Sequence, residues 1–65
     1  MKMSVEYIKY TIEEAIEKGH DSIAIPEELI DIELIEACNE WLVNLGYKAT
    51  HYTLLESIVI KLKKI

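Results

Sequence analysis

Cys38 is the only thiol in the chain, and with His20, His51 and Asp21 it is the first candidate for nucleophilic or acid–base work. A cysteine nucleophile needs an exposed thiolate of lowered pKa and a base beside it. Cys38 instead falls between Leu34 and Leu42 at helical spacing, which predicts a buried, inert thiol. His20-Asp21 follows the end of a helical pattern, where a histidine and an acid close a turn. Cys38, His20 and His51 stand singly, without the paired spacing of a zinc site, so no metal ligands are expected. Gly19 and Gly46 are isolated, and neither forms a phosphate-binding loop. The carboxylates lie in exposed runs, with no two held in contrasting environments. In 65 residues there is little room for a pocket that excludes water. We therefore expect no catalytic residue, no cofactor and no enzymatic activity.

Residues suited to binding are better represented. On the first helix, Glu6, Glu13, Glu14 and Glu17 lie opposite the apolar stripe, and Tyr7 and Tyr10 sit among them. Tyrosine supplies a large rigid area with a polar tip and is enriched at binding hot spots. This face is the leading candidate for contact with a partner protein. A second set is basic: Lys48, Lys61 and Lys63, with Tyr47 or Tyr52 as a stacking ring. Repeated at the subunit junctions of an oligomer, that set would suit sequestration of an anionic nucleotide signal.

Charge decides between them. The net charge is −5, but residues 1–40 carry −8 and residues 41–65 carry +3. An anionic ligand meets a repulsive field except near the C-terminal lysines. Four bases in that half are too few for a convincing nucleic-acid patch, so direct nucleic-acid binding is not expected. The acidic face could itself imitate DNA phosphates and occupy a basic site on a nucleic-acid-binding protein.

The elements that must hold these faces follow from periodicity. Ser4 is a helix cap; Val5, Ile8, Ile12, Ala15 and Ile16 form one stripe, and Gly19 stops a helix expected over Val5–Lys18. Ser22–Ile25 reads as a short strand stopped by Pro26. Asp31 is the expected cap of a second helix starting at Ile32, with Leu34, Ile35, Cys38, Trp41, Leu42 and Leu45 as its stripe and Gly46 as its end. From Tyr47 the period becomes two, with Tyr47, Ala49 and His51 on one side and Lys48, Thr50 and Tyr52 on the other. Thr53-Leu54-Leu55-Glu56 is a turn without Gly, Asn or Pro. Ser57–Lys63 is the most apolar strand, expected at the centre, with Ile58, Ile60 and Leu62 facing inward.

The order α-β-α-β-β predicts one α+β domain over residues 1–65, two helices packed on one face of a small three-stranded mixed sheet. The other sheet face would carry Val59 and Tyr52 among Thr and Lys residues. With 51% hydrophobic residues, eleven of them Ile, the chain has more apolar surface than one small core hides, so a homodimer or higher homo-oligomer is expected. No leader pattern opens the chain and no apolar run approaches a membrane span. With one thiol, these features predict a cytoplasmic protein that does not enter membranes.

Ala15-x-x-x-Gly19, Ile23-Ala24-Ile25-Pro26 and Trp41-Leu42-x-x-Leu45-Gly46-Tyr47-Lys48, followed by a terminal strand, resemble the layout of many short phage and prophage proteins. The resemblance spans Ile12 to Leu62. It implies a small accessory protein that acts by binding, commonly on a host enzyme or defence component, and it brings no catalytic residues with it.

Overall fold

Ser4 opens the first helix with an extended backbone, and its hydroxyl accepts a hydrogen bond from the Tyr7 N–H at 3.2 Å. A cap of this kind contributes about 1 kcal/mol. The computed structural model describes residues 2–65. Helix α1 covers Val5–Glu17 and ends in a Schellman motif: Gly19 N–H donates to Ile16 O at 3.0 Å and His20 N–H to Ala15 O at 2.9 Å. Gly19 takes φ +78°, a conformation that strains residues with a Cβ. Helix α2, Ile32–Asn44, ends before Gly46, which takes φ +89° and donates its N–H to Val43 O at 2.9 Å. Asp31 occupies the α2 cap position without a side-chain cap bond, and Lys2 Nζ lies 2.6 Å from its Oδ1.

Strands β1 (Ser22–Pro26), β2 (Tyr47–Leu54) and β3 (Ser57–Lys64) form the sheet, with a 3₁₀ turn at Glu27–Leu29 after β1. β3 is central, in the order β1-β3-β2, as expected for the most apolar strand. Both pairings are antiparallel, so the sheet is not mixed. The crossover through α2 does leave β1 and β2 running the same way, but β3 lies between them and no parallel pair forms. A short β2–β3 hairpin makes one pairing antiparallel, and inserting β3 beside β1 makes the other so. The architecture is two helices against a three-stranded antiparallel sheet, which is α+β.

The core is drawn from every layer. Ile8 and Ile12 of α1, Ile35, Cys38 and Leu42 of α2, and Ile25, Ile58, Ile60 and Leu62 of the sheet are buried together. Each fully buried Ile or Leu among them contributes about 1.5–3 kcal/mol. Ile30 joins them from the link before α2, a position that no periodic pattern marks. Leu45 is the exception in the expected α2 stripe; it is exposed at the helix end. The α1–α2 seam is covered at its rim by Lys9, whose ammonium lies 5.5 Å from the centre of the Trp41 ring. No helix of the described residues is long and apolar enough to cross a membrane.

The turn between β2 and β3 is tighter than expected. Leu54 pairs with Ser57, so the loop is only Leu55-Glu56. Leu55 adopts φ +58°, the only non-glycine with positive φ among the described residues.

Candidate functional site

Helix α1 buries Ile8, Ile12 and Ala15, and the helical period turns Glu6, Tyr7, Tyr10, Glu13, Glu14 and Glu17 to the opposite side. Tyr7 and Tyr10 are 58% and 61% exposed, with ring centroids 6.3 Å apart and planes tilted by 56°. That separation is within the range of an aromatic pair contact, so the two rings form one continuous exposed surface. The carboxylates are not equivalent. Lys18 Nζ lies 2.7 Å from Glu14 Oε1, and this hydrogen bond and charge hold the Glu14 carboxyl below its ordinary range and raise the Lys18 ammonium above its own. Glu6, Glu13 and Glu17 are exposed, and no ion pair involving them occurs among the described residues. Lys9, which interrupts the same helix, is directed toward Trp41 of α2 and so does not neutralise them.

The basic set is positioned by the register of the sheet. Lys48 pairs with Lys63, Thr50 with Lys61 and Tyr52 with Val59, and these side chains share the face that the helices leave open. Lys61 is a diagonal neighbour of Tyr52, within reach of its ring. Tyr47 does not join them. It lies on the opposite face, half-buried against the core, because it is one residue out of phase with Lys48. Lys48, Thr50, Lys63, Lys64 and Ile65 line a shallow hollow of about 410 Å³ at this end.

Sequence reasoning did not single out two features. A hollow of about 710 Å³ opens between the 3₁₀ turn, the start of α2 and the hairpin, lined by Glu27, Glu28, Asp31 and Glu33 around Ile30 and Ile58. Its carboxylates are visible as an acidic run, but their convergence depends on the fold. The second is the apolar hairpin end, where Leu54 is 54% and Leu55 91% exposed.

The groups weighed for chemistry are dispersed. Cys38 is fully buried in the core, and burial pushes its thiol pKa up, away from a reactive thiolate. His20 is exposed in the turn after α1, and His51 is half-buried on the inner face of β2. Among the described residues no group of three acidic, His or Cys side chains is placed to hold a metal ion. No protein-family model matches the chain, and neither a curated protein nor a solved structure is similar to it.

Proposed function

We propose that this chain is a non-enzymatic accessory protein of the phage type, which binds a host protein through the outer face of α1 and inhibits or modulates it. One observation carries the reading: two mutually packed, largely exposed tyrosines stand among the unneutralised carboxylates Glu6, Glu13 and Glu17. Burial of the core does not require either ring to be there. Large aromatic anchors beside fixed negative charge suit a partner with an apolar groove bordered by Lys or Arg, and the charge would also speed encounter with it. A host nucleic-acid-binding or defence protein offers such a surface, and the acidic face would there stand in for phosphates. The reading places the protein in the cytoplasm, where a lone thiol stays reduced.

The sheet offers the second reading. Lys48, Lys61, Lys63 and Tyr52 share one open face, an arrangement that suits an oligomer holding an anionic nucleotide. The two readings separate by mutation. With the partner recovered from host lysate and identified by mass spectrometry, Tyr10→Ala weakens binding about thirtyfold, which is about 2 kcal/mol, and leaves folding nearly intact. Lys61→Ala leaves that binding unchanged. If no stoichiometric protein is recovered, and the purified protein releases a nucleotide on denaturation, the first reading fails and the second takes its place.

A further inference from the structure

The open sheet face has a pattern that goes beyond either reading. Three rows cross all three strands: Pro26–Ser57–Leu54, then Ala24–Val59–Tyr52, then Ser22–Lys61–Thr50, with Lys63–Lys48 beyond them. One end is apolar and the other basic, and no row contains a carboxylate. Acids begin immediately past the apolar end, where Glu27, Glu28 and Glu56 gather around one hollow beside Pro26 and Ser57. The Glu27 N–H donates to Glu56 O at 2.9 Å, which fixes the hairpin tip against the 3₁₀ turn.

We infer that this face docks on a second copy of the chain, sheet against sheet, with the strands of the two copies running in opposite directions. A two-fold axis perpendicular to the strands and centred on Val59 brings the Ala24–Val59–Tyr52 row onto itself. At about 3.4 Å per residue, Lys63 lies roughly 13 Å to one side of that centre and Glu56 roughly 10 Å to the other. The axis therefore brings the lysine end of each copy over the acidic hairpin end of its partner, twice. Lys61 then lies opposite the row of Leu54, where its aliphatic stem covers the exposed leucine.

A two-fold axis along the strands would instead set lysines on lysines and glutamates on glutamates. Docking the basic face on the acidic helices of a neighbour would match charge but leave Val59, Leu54 and Ala24 against polar side chains, and that contact would not close into a dimer. Only the antiparallel arrangement satisfies both the apolar rows and the charged ends. At a strand spacing of about 4.8 Å the face is roughly 14 Å wide and 25 Å long, a footprint of about 700 Å² over the two copies, below the standard interface size, so the expected dimer is weak and reversible. The tyrosines of α1 lie in the helical layer and remain free in it, so each dimer presents two such faces and gains avidity for a multivalent partner.

Sedimentation equilibrium of the full chain from about 5 to 500 μM tests the assembly. A reversible monomer–dimer equilibrium is expected, abolished by Val59→Arg while circular dichroism keeps the native spectrum. Lys63→Glu weakens dimerisation at least tenfold, Glu56→Lys does the same, and the two together in one chain restore it. A monomer throughout the range, an assembly that grows past the dimer, or a Lys63→Glu variant that dimerises as tightly as the parent each overturns the proposal. So does a short oligothymidylate, used as an anionic probe, if it binds at micromolar concentration and separates the copies. None of these outcomes depends on whether Tyr10 contacts a host protein.

Discussion

Leu55 offers a direct test of the hairpin, because its cost to the fold can be worked from its geometry. Its φ of +58° brings the Cβ toward the following carbonyl, which costs an L-residue about 1–2 kcal/mol. At 91% exposure its side chain returns almost nothing by burial. Leu55→Gly removes the strain but adds freedom to the unfolded chain, about 0.5–1 kcal/mol against folding. The net expectation is a gain of about 0.5–1 kcal/mol. Leu55→Asn, which tolerates this backbone region, gains a similar amount, and Leu55→Ala keeps both the Cβ and the strain and stays close to neutral.

The assay is urea unfolding followed by circular dichroism at low micromolar concentration, where dimerisation adds little to apparent stability. With a slope near 1 kcal/mol/M for so small a domain, the midpoint rises by about 0.5–1 M for the Gly and Asn variants at unchanged slope. Equal midpoints for Leu55→Gly and the parent would refute the strain. A fall for both Leu55→Gly and Leu55→Ala would mean that the leucine side chain makes stabilising contacts.

Ile60 is fully buried at the centre of β3, cross-paired to Ile23 and His51; Ile60→Ala costs about 3 kcal/mol, a large share of the roughly 3–10 kcal/mol expected for a 65-residue domain, and thermal melting reads the loss. A loss below 1 kcal/mol would mean that the sheet repacks around the site. Lys18→Met lets the Glu14 carboxyl titrate nearer its ordinary range, observed by side-chain carbon NMR. With Glu14 held low, its part of the pair's support is present above the ordinary carboxylate pKa and fades on acidification through the lowered one. With Lys18 held high, its part is present below the ordinary ammonium pKa and fades as pH rises through the raised one. An unchanged Glu14 midpoint in Lys18→Met would disprove the coupling.

The two helices were legible because their signals are local. Ser4, Gly19 and Gly46 each act within one turn of chain, and the apolar period of α1 matches the residues it buries. β3 was legible for a related reason, since alternation of Ile58, Ile60 and Leu62 marks a strand with one buried face, and as the most apolar strand it takes the central place. Strand direction was not, because no residue of β1 encodes which edge of β3 it will meet. The expectation of a mixed sheet was wrong in the direction of β1 against the central β3, to which both edge strands are antiparallel. The turn at Leu55-Glu56 carried no residue signal because its backbone is the strained kind that a leucine ordinarily avoids.

For the candidate site, period alone grouped most residues correctly, since parity puts Lys48, Lys61, Lys63 and Tyr52 on one face and Tyr47 on the other. What parity cannot supply is the destination of a flexible cation. The first forty residues contain three lysines against eleven acids, and from sequence any of the three is free to dilute the α1 face. The fold draws two of them away, Lys2 to Asp31 across 29 residues and Lys9 over Trp41 on the neighbouring helix, while Lys18 stays on α1 and pairs with Glu14 of the face itself. Two of these destinations are non-local, so they exist only once α1 and α2 have packed. The negative field at Glu6, Glu13 and Glu17 is therefore a property of the folded state, stronger there than the composition implies. Its reach in solution is about one Debye length, near 8 Å at physiological salt, which keeps it local to the two tyrosines it surrounds.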